Sequence, residues 1–367
     1  MIARRHLLAA LPALGACGRA GAGFRGHAFI ACAGSSAIAI ADLLAFTVRE
    51  RIELPGPPVS LFRRQGRLFV LIPSRNSIEE IDPARRRRVA VHRLPGPPLA
   101  ARPEPGAPER LWVLLNDPRP SLHPVALAAG PAPRPIPLAG PASAVAFAPG
   151  EALAAVTLEA GAVQFVRLDQ RQVHRPTPLA PGLGEARFRS DGRLLIVAER
   201  ERRRLTFLDA GSRRVFVELP LPLAPENFCM NADGGQLFIT GEGRDAVVIV
   251  YPYRTEIAQT SLSGRRPGRM AAAIEPPYLF VSNPDAGSVT VFDIQTQKVL
   301  AVTSVGVRPT AIAITPDQQY ALVLNETSGD VAVIRIAAIS PGRAKRAPLF
   351  TMMPAGDRPV DLRILPA

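Results

Sequence analysis

Lysine is almost missing from this sequence: of 44 basic residues only Lys298 and Lys345 are lysines, so the formal charge of +13 is an arginine charge. The arginine runs 85–88, 202–204 and 213–214 fall in separate segments, without interleaved aromatics or a reading helix, which argues against a nucleic-acid partner. Aromatic residues make up only 5% of the chain, with a single tryptophan. No apolar run reaches the roughly 18 residues that a membrane-spanning helix needs. The five histidines, His6, His27, His92, His123 and His174, show no metal-ligand spacing, so no metal site is expected. There is no Cys-x-x-Cys-His for attached haem, no Gly-x-Ser-x-Gly elbow and no phosphate-binding P-loop. The expectation is a chain without a cofactor.

What the sequence has in plenty is turn residues, with 39 prolines and 29 glycines scattered among short Val/Ile/Leu/Phe runs. That is the pattern of strands separated by turns. The runs repeat. Ala28-Phe29-Ile30-Ala31, Leu68-Phe69-Val70-Leu71, Leu111-Trp112-Val113-Leu114 and Leu153-Ala154-Ala155-Val156 are followed by Leu194-Leu195-Ile196-Val197, Leu237-Phe238-Ile239-Thr240, Leu279-Phe280-Val281-Ser282 and Ala321-Leu322-Val323-Leu324, one copy about every 42 residues. The seventh copy shows a four-part unit most clearly: 270–274, 278–283, 288–293 and 298–305. Four short strands per repeat define a propeller blade. Asp191-Gly192, Asp233-Gly234 and Pro316-Asp317 supply tight hairpins before second strands. Asp82, Asp169, Asp209 and Asp293 close third strands, where a carboxylate accepts backbone N–H groups of the next turn.

Tyr278-Leu279-Phe280-Val281-Ser282-Asn283 and Tyr320-Ala321-Leu322-Val323-Leu324-Asn325 resemble the YVTN repeat family of bacterial propellers, as does the link that runs from Val305-Gly306-Val307-Arg308-Pro309 to Pro316-Asp317. The likeness is sharp in repeats seven and eight, recognisable in five and six, and degenerate in one to four. The expected fold is all-β: a propeller of four-stranded antiparallel blades, eight by repeat count, with seven as the alternative if the Pro-rich third repeat is misread. The first repeat lacks a first strand and the C-terminus offers an orphan, Val360-Asp361-Leu362-Arg363-Ile364-Leu365, which should complete blade one and close the ring.

Before the repeats, Arg4 and Arg5 precede an apolar stretch over 7–16 that ends Leu14-Gly15-Ala16-Cys17. Its length is that of a signal-peptide core, and small residues before a cysteine make a lipobox, with the Cys17 thiol receiving the lipid. The expected organisation is a signal peptide over 1–17, a linker over 18–27 and one propeller domain over 28–367, exported and lipid-anchored at the cell envelope or periplasm. Cys32 and Cys229 fall in distant blades and are expected as small buried apolar residues.

The candidate site is the face where inter-blade links meet the loops between second and third strands. Three adjacent links carry Gly-x-Arg-Pro, placing Arg266, Arg308 and Arg358 around the channel mouth with Glu242, Asp285 and Glu326 nearby. Forked guanidinium groups suit carboxylate or phosphate oxygens. Two functions follow: a non-enzymatic, monomeric binding platform for a protein partner or an anionic small molecule, touching the membrane only through its lipid, or a lactonase-like hydrolase of sugar lactones using a carboxylate and these arginines. The resemblance implies the second. A haem- or quinone-linked redox propeller is disfavoured by the missing haem motif.

Overall fold

The computed structural model describes residues 23–127, 134–339 and 348–367, so Cys17 and the expected signal segment lie outside the described residues. Eight antiparallel sheets follow one another in a ring, each of four strands save that in blade four the outermost edge is split into Gln172–Val173 and Thr177–Pro178, which settles the blade number at eight. The innermost strands of blades two to eight are Ser60–Arg64, Pro98–Glu104, Ala142–Phe147, Leu183–Phe188, Ala224–Met230, Met270–Ala272 and Pro309–Ile314. Each touches the innermost strand or the second strand of the blade before it. The Pro-rich third repeat is a true blade; its outermost strand, Ile136–Pro137, is only two residues long.

Blade one is assembled from both chain ends. Its innermost strand is the C-terminal Pro359–Pro366, paired antiparallel with Gly26–Cys32, and this closes the ring as the orphan-strand argument requires. Structure is present before the expected boundary at 28: Phe24 is buried against blade eight and its N–H bonds the Leu43 carbonyl.

The second strands are apolar on both faces because each blade is covered on both sides. In blade one, Ala28, Ile30 and Cys32 pack towards blade eight, whereas Phe29 and Ala31 pack towards blade two. A strand sandwiched in this way reads as a continuous apolar run, and alternation is lost. The core is therefore eight separate clusters, one for each blade interface; Trp112, the one tryptophan, fills that between blades three and four. Each cluster is a nearest-neighbour contact, as in other repeat proteins.

The turns repeat as faithfully as the strands. In all eight blades the residue after the outermost strand, or its near neighbour, donates to the loop between second and third strands: Leu54 to Ser36, Leu94 to Asn76, Leu138 to Pro120, Leu179 to Gly161, Leu221 to Arg203, Ser263 to Asp245, Val305 to Gly287 and Ala355 to Gly329. Ser36, Asn76, Gly161, Arg203, Gly287 and Gly329 hold that acceptor in the left-handed region. On the opposite face, Asp82, Asp209 and Asp293 accept backbone N–H groups as expected, and Asp42 does so in blade one. The N–H of Arg85 holds the Asp82 carboxyl below the usual range, and the N–H of Ser212 does the same for Asp209. Asp169 instead faces Arg167 at 3.8 Å.

Candidate functional site: the central channel

The innermost strands do not run straight. Their pairing slips near the start in blades one, three, four, five, six and eight, between Leu183 and Ala186 in blade five and opposite Ala31 and Cys32 in blade one. Such bulges re-aim side chains. The two that matter most leave Glu185 and Asp361 at equivalent places, half a ring apart.

Two residues further along each strand stands an arginine. Arg363, Arg102 and Arg187 pair across the ladder with Phe29, Trp112 and Ile196, each three residues before the end of its second strand at Cys32, Leu115 and Glu199. The register thus sets three arginines, from blades one, three and five, at one level of the channel. Blade seven has Ala271 at that level and supplies Arg269 two positions earlier, at the level of Glu185 and Asp361. The even blades put Phe62, Ala146, Phe228 and Ala313 there. Arginines therefore enter the channel from every second blade.

Arg102, Glu185, Arg187, Arg269, Asp361 and Arg363 together line one cavity of about 510 Å³. A second cavity of about 800 Å³ shares Arg102, Glu185, Arg187 and Arg269 and adds Ser143, Ser190 and Met230. The channel is thus a polar well of four cations and two anions.

Its two carboxylates are held alike and behave differently. The N–H of Leu61 in blade two donates to Asp361 Oδ2 at 2.8 Å, and that of Phe228 in blade six donates to Glu185 Oε2 at 3.0 Å. Asp361 also grips Arg363, with Nη1 2.7 Å from Oδ1. The nearest Arg187 nitrogen is 3.8 Å from Glu185, too far for a hydrogen bond. Arg102 donates only to the Ala101 carbonyl at 3.0 Å, and neither it nor Arg269 forms an ion pair among the described residues.

Desolvation is the leading influence on both Glu185 and Arg102. It pushes the Glu185 carboxyl up, against the pull of Arg187, the Phe228 N–H, Arg269 and Arg102. It draws the Arg102 guanidinium down, with Glu185 opposing the shift and Arg187 and Arg363 adding to it. Arginine nevertheless remains charged in any protein. Cys229, on the innermost strand of blade six, is pushed up to about 11 by burial and stays a thiol at neutral pH. Cys32 is wholly buried, so one of the two cysteines matches the small-apolar expectation outright and the other is only partly covered.

The loop-face residues lie elsewhere. Arg266, Arg308 and Arg358 are exposed, occupy equivalent turn positions and share the left-handed conformation, with φ of 51°, 56° and 49°. The Arg266 N–H donates to Asp245, while the Arg308 and Arg358 carbonyls accept from Glu326 and Ala33. The Arg308 side chain lies 3.4 Å from Glu326; Glu242 and Asp285 are exposed on neighbouring loops. None of the six lines either channel cavity. The glycines of the same motif have a packing cause: a Cβ on Gly264 or Gly306 would come within 2.5 Å of the Asn283 or Asn325 side chain. At these two links the motif is thus a backbone device joining the link to the asparagine that ends the neighbouring second strand, whereas the third glycine, Gly356, faces Arg51 and Cys32. The signal for the channel was present as Glu185-Ala186-Arg187 and Asp361-Leu362-Arg363, one acid-x-Arg pattern on two innermost strands.

Fold and site together define an eight-bladed β-propeller with a charged central channel. Among solved structures, the dihydro-haem d1 dehydrogenase NirN in complex with DHE matches with a TM-score of 0.77 at 15% identity, over 92% of this chain and 75% of that one. Apo AztD from Citrobacter koseri matches with a TM-score of 0.67 at 13% identity, over 92% and 97% of the two chains. A functionally unknown protein from Desulfotomaculum acetoxidans matches at 0.59 and 10% identity, over 92% and 98%. At these identities the likeness establishes the fold. No protein-family model matches the chain, and no curated protein matches it in sequence.

Proposed function

We propose that this is a non-enzymatic binding propeller of the YVTN-like type, exported and held to the cell envelope by a lipid on Cys17, that takes an anionic small molecule into its central channel. One observation carries the reading: Arg102, Arg187, Arg269 and Arg363 converge on a single cavity against only Glu185 and Asp361. A well with more guanidinium groups than carboxylates offers forked donors to carboxylate or phosphate oxygens. Low-dielectric walls focus that positive field. The NirN structure is a complex with DHE on the same fold, which supports a ligand-holding role. Arg4, Arg5 and the Leu14-to-Cys17 lipobox support export and anchoring.

A thermal-shift and calorimetric screen of the protein lacking its signal peptide tests the channel. Di- and tricarboxylates, sugar phosphates and tetrapyrrole propionates should raise the melting temperature in proportion to occupancy. Absence of any shift would transfer the function to the loop face and a protein partner. Palmitate labelling that survives Cys17→Ser would overturn the anchor.

A lactonase-like hydrolase remains the second reading because of Glu185: a carboxyl whose proton affinity is raised by burial, beside arginines, is the kind of group that serves acid–base chemistry. Turnover of sugar lactones that disappears in Glu185→Gln would favour it.

A further inference from the structure

Glu185 occupies the place where an anion would gain most from the channel. Both cavities share Arg102, Glu185, Arg187 and Arg269, so these four side chains stand where the two adjoin. The Asp361–Arg363 pair at 2.7 Å is already neutral and contributes no net charge. What remains is three cations and one carboxylate, a net charge of +2 with Glu185 ionised and +3 with it protonated. The carboxylate is aimed by its bulge and held by the Phe228 N–H, yet its own arginine stands back at 3.8 Å. The side chains of Glu185 and Arg187 are 36% and 42% exposed, and both line the two cavities.

We propose that the channel selects a ligand with two negative charges, a dicarboxylate or a phosphate monoester, and that Glu185 is its specificity-determining residue, taking up one proton from solution as the dianion binds. The inference rests on the channel reading given above. The groups facing Glu185 are Arg187 on its own strand, the Phe228 N–H from blade six, Arg269 at the start of blade seven and Arg102 from blade three. Among the described residues the other carboxylate lining the well, Asp361, is paired with Arg363, so the charge of Glu185 is the main unpaired repulsion a bound anion meets. Placing a dianion among the three arginines sets like charge beside Glu185, and like charge favours the protonated form. Once protonated, the carboxyl keeps Oε2 as acceptor for Phe228 and turns an O–H towards a ligand oxygen. The burial that already pushes this group up makes the protonation less costly. With Glu185 protonated a dianion leaves one of the three arginines without a counterion and a monoanion leaves two, so ligands lacking the second charge bind weakly.

The sign follows directly. A carboxyl raised in the folded protein is increasingly neutral as pH falls, so affinity for a dianion rises as pH falls and is lost as pH rises through the group's folded value. Ethane-1,2-disulfonate keeps both charges across the whole range and separates titration of the protein from titration of the ligand. Calorimetry with the purified protein at about pH 5 and about pH 8, in buffers of different ionisation heat, should show roughly tenfold or greater tightening at the lower pH, and proton uptake approaching one at the pH where Glu185 is ionised in the free protein. Succinate and glycerol 3-phosphate distinguish a carboxylate from a phosphate preference, and methanesulfonate should bind far more weakly than the disulfonate. Glu185→Gln retains the acceptor for Phe228, so it should fold normally, bind at least as tightly as wild type at the higher pH and lose the pH dependence. Binding with no pH dependence, or a Glu185→Gln variant weaker than wild type at both pH values, overturns the proton-coupled selection and leaves the channel reading standing. Failure of every anion to bind overturns both.

Discussion

Blades one and five face each other across the channel and carry the same acid-x-Arg pattern on the same strand, yet they have come to opposite states. In blade one, Asp361 holds both the Leu61 N–H of the next blade and its own Arg363. In blade five, the longer Glu185 reaches the Phe228 N–H of the next blade and leaves Arg187 at 3.8 Å. With the same bulge on both strands, one methylene separates a closed ion pair from an open arginine. The difference teaches where function can sit on a symmetric frame. Blade one, built from both chain ends, spends its charged pair internally; blade five, a continuous segment of chain, leaves its pair unfinished.

The largest expected effect breaks blade one itself. Removing residues 357–367 deletes the innermost strand and exposes the edge of Gly26–Cys32. It also strips Leu362 and Leu365 from the interfaces on either side. The loss should be comparable with the whole stability of a domain, upwards of about 5 kcal/mol. A cooperative thermal transition surviving that truncation, followed by circular dichroism and size-exclusion chromatography, would show that blade one is not the fastener.

The next pair sharpens the contrast by sign. Arg187→Ala should weaken anion binding by about 10- to 100-fold, the worth of a charge-assisted hydrogen bond of roughly 1.5–3 kcal/mol. Asp361→Asn should do the reverse. It keeps an acceptor for Leu61, releases Arg363 into the cavity and strengthens binding by roughly threefold or more, since a freed surface cation is worth up to about 1 kcal/mol. Glu185→Asp should make blade five resemble blade one and lower affinity by a similar factor. Calorimetry on the three variants decides the matter; equal effects of Arg187→Ala and Asp361→Asn would dissolve the distinction between the blades.

The frame was readable from sequence because its causes are local and repeated. Strands covered on both faces leave unbroken apolar runs such as Leu279-Phe280-Val281, and turns such as Asp191-Gly192 leave their chemistry in two residues. Ring closure was readable because blade one lacked a strand that the C-terminus had to spare. The channel was not, for a geometric reason. A bulge changes which side chain points inward without changing composition, so Glu185 and Asp361 look like any strand acid until the register is known. The arginines of Gly-x-Arg-Pro drew attention instead because their spacing is conspicuous. That spacing is set by the backbone, with glycine required against Asn283 and Asn325 and the arginine in a left-handed turn.

The smallest expected effect separates these loop arginines from those in the channel. Arg308 has φ of 56°, a conformation that costs a side-chain-bearing residue about 1–2 kcal/mol relative to glycine's free access. Arg308→Gly relieves that cost, adds roughly 0.5–1 kcal/mol of chain entropy to the unfolded state and loses an exposed pair with Glu326 worth at most about 1 kcal/mol. These terms nearly cancel, so stability should change by less than about 1 kcal/mol, whereas Arg308→Val, with a branched Cβ in the same turn, should lose about 1–2 kcal/mol. Anion affinity should stay within about twofold of wild type in both variants, because the side chain lines neither cavity. If Arg308→Gly weakened binding as much as Arg187→Ala, the ligand would be seated at the channel mouth, and the conspicuous arginines would share the site with the hidden ones.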